Sequence, residues 1–258
     1  MTGGFDTLWT DPSVVLIVLG AVAGGLVQGL SGFAFGLIAM AFWAWAVPAQ
    51  LAGPMVVFGS LLGQLLALHT VRHTLALGLV APFIVGGVIG VPIGAALLPY
   101  VDQDTFKISI GVLLTLWSLG MLLARELRPI SRGGRLADAV AGWIGGAMGG
   151  LAGLSGPAPI LWCTLRGWDR DIQRAVFQSF NLTMAALTMT VYLGLGLIGG
   201  EALRAFALIA PALLIPTLLG TRLYRRFSVQ AFRQLVLLLL LVSGIMLLVG
   251  SVPQLLGH

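Results

Sequence analysis

The chain has 258 residues, of which 58% are apolar and 9% charged, with a mean hydropathy of +1.02. Soluble domains carry about a quarter charged residues, so this composition excludes a water-facing globular surface and makes the bilayer the solvent. The pI near 10.3 does not point to nucleic acid, because the cations sit in short loops between apolar stretches, the pattern of positive-inside topology.

Taken in chain order, the N-terminus carries Asp6 and Asp11 and no basic region, so no cleavable signal peptide is expected. The first apolar run, Val14 to Val47, would measure about 50 Å as one helix, against a hydrocarbon core of about 30 Å. It is interrupted at Gly29-Leu30-Ser31-Gly32. Unbroken apolar segments follow at roughly 48–70, 74–99 and 105–124. A polar linker with Arg125, Arg128, Arg132 and Arg135 comes next. The fifth segment, 137–166, is again overlong and is interrupted at Gly153-Leu154-Ser155-Gly156, followed by Pro157 and Pro159. Segments 174–199, 202–222 and 229–250 complete the chain.

Eight apolar segments around one linker predict an all-α polytopic membrane protein in two halves, residues 1–124 and 137–258, joined by 125–136. The shared tetrapeptides lie 124 positions apart, as do Gly25 and Gly149, and Pro92 and Pro216. Matched elements in matched order imply an internal repeat. Charge then selects the topology. If all eight segments cross, the cations divide 6 to 8. If segments 1 and 5 are re-entrant hairpins, 12 of the 14 cations fall on one side and only Lys107 and Arg204 on the other. The positive-inside rule favours the second arrangement. Each half then crosses an odd number of times, so the repeats are inverted, each with a broken or re-entrant first element. Both termini face outward, and the basic linker is cytoplasmic.

Tryptophans fall where this topology puts the membrane surfaces: Trp9, Trp43, Trp45, Trp143 and Trp168 are expected in aromatic belts. Stacking on a ligand is the alternative for Trp43 and Trp162. His69 and His73 share a helix face beside Arg72 and read as solvated interface residues. No His/Cys/Asp/Glu cluster has metal-ligand spacing and no paired carboxylates enter an apolar segment, so neither metal, cofactor nor catalysis is expected. The single cysteine, Cys163, reads as a small packing residue.

The Gly-Leu-Ser-Gly breaks carry the functional signal. Irregular backbone survives at membrane depth only when it is buried in protein or lines a water-filled cavity, and broken helices at matching places in two halves point to a transporter's binding site. A half-helix that restarts after each break aims its first N–H groups and positive dipole end at the break, where oxyanions bind. Pro157 and Pro159 suit such a first turn. The candidate substrate-binding residues are Gln28, Gly29, Ser31, Gly32, Gly153, Ser155, Gly156, Gln178 and Asn181. Arg174 is a candidate at the mouth, or else a topology anchor. Ser31 and Ser155 offer hydroxyl donors and the glycines let a ligand approach the main chain. Gln178 and Asn181 share a face of segment 6, as Ser60 and Gln64 share one of segment 2. These polar side chains either bond helix to helix or face the ligand. The expected partners are a small anion and the bilayer.

The stretch Gly25-Leu26-Val27-Gln28-Gly29-Leu30-Ser31-Gly32-Phe33-Ala34-Phe35-Gly36 resembles the N-terminal signature of the TauE/SafE family of sulfite and sulfonate exporters. Gly149-Gly150-Leu151-Ala152-Gly153-Leu154-Ser155-Gly156-Pro157 resembles that family's repeated signature, and Gln173-Arg174-Ala175-Val176-Phe177 resembles its motif at the start of segment 6, with Ala175-Val176 departing from the Ala-Thr expected there. The resemblance implies a multi-pass inner-membrane transporter of a small sulfur-containing oxyanion such as sulfite, sulfoacetate or a related organosulfonate. An anion channel, an uptake permease or a membrane-embedded enzyme are the alternatives.

Overall fold

The computed structural model describes residues 11–32, 34–68, 77–123, 130, 133–223 and 229–256, and among them the chain is helical without strands. Each overlong segment forms two helices. The first gives α1 (Asp11–Ser31) and α2 (Phe35–Ala46), and the fifth gives α6 (Gly134–Ala152) and α7 (Pro157–Leu165). The other segments give one helix each: α3 (Ala49–Leu68), α4 (Leu77–Leu97, prolonged by a single 3-10 turn at Leu98–Tyr100), α5 (Gln103–Leu123), α8 (Arg170–Gly194), α9 (Gly200–Leu223) and α10 (Val229–Leu256). α6 begins inside the stretch expected as linker, most of whose remainder lies outside the described residues, as do Trp9, His69 and His73.

Six of these helices, α1, α3, α4, α5, α8 and α9, are long and apolar enough to cross a membrane. α1 reaches that length by itself. By contrast α2 and α7, at 12 and 9 residues, extend only about 18 and 14 Å.

Backbone conformation places the breaks. Gly32 and Gly153 have φ of 85° and 71°, the left-handed region that L side chains avoid. At the end of α6 the Gly153 N–H bonds the Gly149 carbonyl at 2.7 Å, the bond of an αL cap, and the Leu154 N–H bonds the Met148 carbonyl at 3.3 Å. Pro157 then opens α7, where its missing N–H removes no helical bond.

After each break the chain turns back along the helix it has just left. The Trp43 indole N–H donates to the Ile17 carbonyl at 3.0 Å, and Phe35 packs against Gly24, so α2 runs antiparallel to α1. Trp43 is therefore fully buried, not in the aromatic belt expected for it. Its indole fills the space left by the missing side chain of Gly20. Trp45 and Trp143, by contrast, are exposed. In the second half Pro159 packs on Gly145, and the Ile130 N–H donates to the Leu165 carbonyl at 2.9 Å. The residues that lead into α6 thus meet the end of α7, and the α6–α7 hairpin begins and ends at one place.

Around these hairpins the helices pack in exchanged pairs: α1 lies on α9 as α6 lies on α4, and α3 touches α9 as α8 touches α4. Glycine makes the closest of these contacts. Gly86, Gly90 and Gly94 of α4 press on the backbone of Ala139, Trp143 and Ala147, while Gly142, Gly146 and Gly150 of α6 press on Phe83, Gly87 and Val91. The paired numbers rise together, so α4 and α6 are parallel, with backbones as close as small residues at every fourth position allow. α5 and α10 contact through Gly111 and Gly244 with Thr115 beside Gly244 and Leu248 beside Gly111, which makes these two last helices of the halves antiparallel.

Candidate functional site

The two breaks meet inside the bundle. A Cβ on Gly36, in the first turn of α2, would stand 2.8 Å from the Leu154 side chain and 3.7 Å from the Gly153 carbonyl. Between them lies a cavity lined by Gly36 and Leu37 of α2, Ser60 and Gln64 of α3, the second break from Gly153 to Pro157, and Asn181 of α8. Its volume of about 20 Å³ is what one water requires, so a larger ligand enters only if the walls move apart.

The walls are largely apolar, with Ser60, Gln64, Ser155 and Asn181 as their polar side chains, and carry no charge. Ser155, buried, points its hydroxyl at Asn181 Oδ1 3.4 Å away. Gly156 leaves the space that brings the Asn181 amide against the break, since a Cβ there would lie 3.2 Å from Nδ2. Gln64 Nε2 donates to the Gly32 carbonyl at 3.0 Å, tying the α3 wall to the first break. The first turns of α2 and α7 both open on the cavity, and helical N–H groups in a first turn lack partners within their helix. In α7 the prolines at 157 and 159 carry no N–H, so among its first three positions only Ala158 offers one. With no Lys, Arg, Asp or Glu in the lining, the cavity offers an anion neutral donors and two positive helix ends.

Of the residues singled out in the sequence, the structure brings Gly153, Ser155, Gly156 and Asn181 together in the cavity wall. Gln28, Gly32 and Gln178 stand behind it. Gln28 Oε1 accepts from the Phe35 N–H and its Nε2 donates to the Ser60 carbonyl, both at 3.3 Å, so this side chain staples the first break to α3. Gln178 approaches Gly32, with Nε2 3.0 Å from where a Cβ would sit, and its buried Oε1 has no hydrogen-bond partner among the described residues. Ser31 is engaged locally: its hydroxyl donates to the Val27 carbonyl at 2.8 Å and accepts from the Ala34 N–H at 3.3 Å. Gly29 faces the other way and packs on Thr217 and Gly220 of α9. Arg174, half-buried in α8, lies about 10 Å along that helix from Asn181 and is not in the wall.

Two features of the structure have no local signal in the sequence. Gly36 and Leu37 reach the cavity because α2 folds back, which nothing local signals. The second is a carboxylate. The sequence places no acid deep in an apolar segment, yet Asp138 is 4% exposed. It accepts from Arg166 Nη1 at 2.7 and 2.9 Å and from the Trp162 indole N–H at 2.7 Å. The Trp162 indole N–H is thus engaged with this acid. The Arg166 guanidinium also lies 4.8 Å over the Trp168 ring.

A family model described as Sulfite exporter TauE/SafE matches residues 16–247, a span that takes in both breaks and every residue lining the cavity. No curated protein and no solved structure matches the chain.

Proposed function

The chain belongs to the sulfite exporter TauE/SafE family, and from that premise we propose that it exports a small sulfur-containing oxyanion (sulfite, sulfoacetate or a related organosulfonate) across the inner, cytoplasmic membrane by alternating access. The observation that carries the reading is the cavity between the two breaks. Both halves of the chain build it, its donors are neutral, and two half-helix N-termini open on it. Donors of this kind suit an oxyanion, which accepts hydrogen bonds on every oxygen and gains from the positive helix ends.

Alternating access needs two gates around one site, and inverted repeats supply them. Three features support inversion: the exchanged helix pairings, the antiparallel α5 and α10, and the return of each broken segment along itself. With α1–α2 and α6–α7 as re-entrant hairpins and one repeat on either side of 125–136, the termini face the periplasm and the linker the cytoplasm. Cysteines introduced one at a time at Met1, Gly133 and His258, in a Cys163→Ser background, test this with a membrane-impermeant thiol reagent on intact cells. Met1 and His258 should label and Gly133 should not. Labelling of one terminus only, or of neither, contradicts the inverted arrangement.

Counterflow tests the activity. Proteoliposomes loaded with unlabelled sulfite under anaerobic conditions should accumulate external [35S]sulfite transiently above equilibrium, and the effect should saturate. A non-saturating leak would identify a channel, and a chemically altered product would identify an enzyme.

A further inference from the structure

Asp138 is the one buried charged residue among the described residues, and it pairs with the partly buried Arg166. Ionisable groups within membrane segments are expensive and accordingly tend to mark ion and substrate pathways. The pair joins the first turns of α6 to the residue just past α7, at the end of the hairpin opposite the cavity. The first hairpin is closed at the equivalent level without charge, by the Trp43 indole on the Ile17 carbonyl. Val14 and Phe42 occupy the positions 124 residues before Asp138 and Arg166. The fold thus makes this hairpin without an ion pair, and a buried pair is in itself weak evidence for a stabilising role.

Arg166 is the accessible member, its side chain 19% exposed against 6% for Asp138. The two carboxylate oxygens both lie on one guanidinium nitrogen, where the oxygens of a free oxyanion would fit. We propose that Arg166 is a second oxyanion-binding position, at the mouth of the pathway, which Asp138 occupies in the ligand-free protein. An arriving oxyanion displaces Asp138 from Arg166 and thereby unlatches α7 from α6. The inference takes the class of anion from the transport reading and rests on the ion pair for the rest.

Cys163, the single cysteine of the chain, lies between Trp162 and Arg166 in α7 and is fully buried, so its alkylation reports opening of the hairpin. The experiment follows the rate of Cys163 labelling by N-ethylmaleimide in liposomes. Methanesulfonate serves as the anion, since sulfite itself adds to maleimides. D138N and R166Q should label about tenfold faster than wild type or more, the change expected when a local opening equilibrium governs access. W162F, which keeps the ion pair, should stay near the wild-type rate. Methanesulfonate should accelerate wild type and leave R166Q unchanged. Equal rates in wild type, D138N and R166Q overturn the latch, and so does W162F labelling as fast as D138N. Fast variants with no response of wild type to methanesulfonate overturn the exchange. Absence of sulfite counterflow together with a methanesulfonate response in labelling would count against the transport reading alone.

Discussion

Gly90→Leu should keep α4 from docking on α6 and so prevent the two halves from assembling. A Cβ at this position runs into the Trp143 carbonyl and lies 2.7 Å from the Ala147 nitrogen, and backbone cannot swing aside as a side chain can. Overpacking a core costs about 1–3 kcal/mol and occasionally more. Here α4 and α6 would have to separate along the whole Gly86–Gly94 contact, so about 3 kcal/mol or more is expected. Near the start of the same helix, a Cβ on Gly78 would meet nothing within 4 Å. Gly78→Leu should stay within about 0.5 kcal/mol of wild type, as surface changes do. Thermal unfolding of the purified protein in detergent checks both. Equal stability of the two variants would mean that α4 and α6 are not in close backbone contact.

The second large effect is expected in the cavity. Asn181→Asp sets a negative charge in the wall where an anion would lie. Two like charges about 4 Å apart repel by about 4 kcal/mol at an effective dielectric of 20, roughly a thousandfold in affinity. Ser155→Ala removes a hydroxyl, and a hydrogen bond to a charged partner is worth about 1.5–3 kcal/mol, so binding should weaken about tenfold to a hundredfold. Ser31→Ala should behave differently despite its identical sequence context. Its hydroxyl links Val27 to Ala34, so the loss should appear as about 1 kcal/mol of stability, the net worth of a neutral hydrogen bond, with anion affinity kept. Calorimetric titration of the three variants with methanesulfonate at alkaline pH separates these outcomes. An unchanged affinity in Asn181→Asp would place the anion elsewhere.

This contrast between Ser31 and Ser155 shows how far the sequence reaches. The two breaks are legible because glycine, proline and excess length are local signals, and the residues of the second break do line the cavity. The first break reads the same way but does another job. Its serine and Gln28 secure the turn, Gly29 packs on α9, and the cavity takes the next turn of α2 instead. Residue spacing reports which side chains share a helix face; it does not report which neighbour that face meets. For the same reason Trp43 reads as a membrane-surface residue, and only the fold-back of α2 sets it against Gly20. The Asp138–Arg166 pair has no sequence signal because its partners are 28 positions apart and meet only through the fold-back of α7.

Binding of an oxyanion at the breaks through neutral donors and helix dipoles, without a cationic side chain, can be measured. Its most direct test is titration of the wild-type protein with methanesulfonate and with methanesulfonamide, close in size and shape but uncharged. Hydrogen bonds to an ionised acceptor are roughly twice as strong as neutral ones, so the sulfonate should bind at least about tenfold more tightly, a difference of about 1.4 kcal/mol. Equal affinity for the two compounds would contradict it.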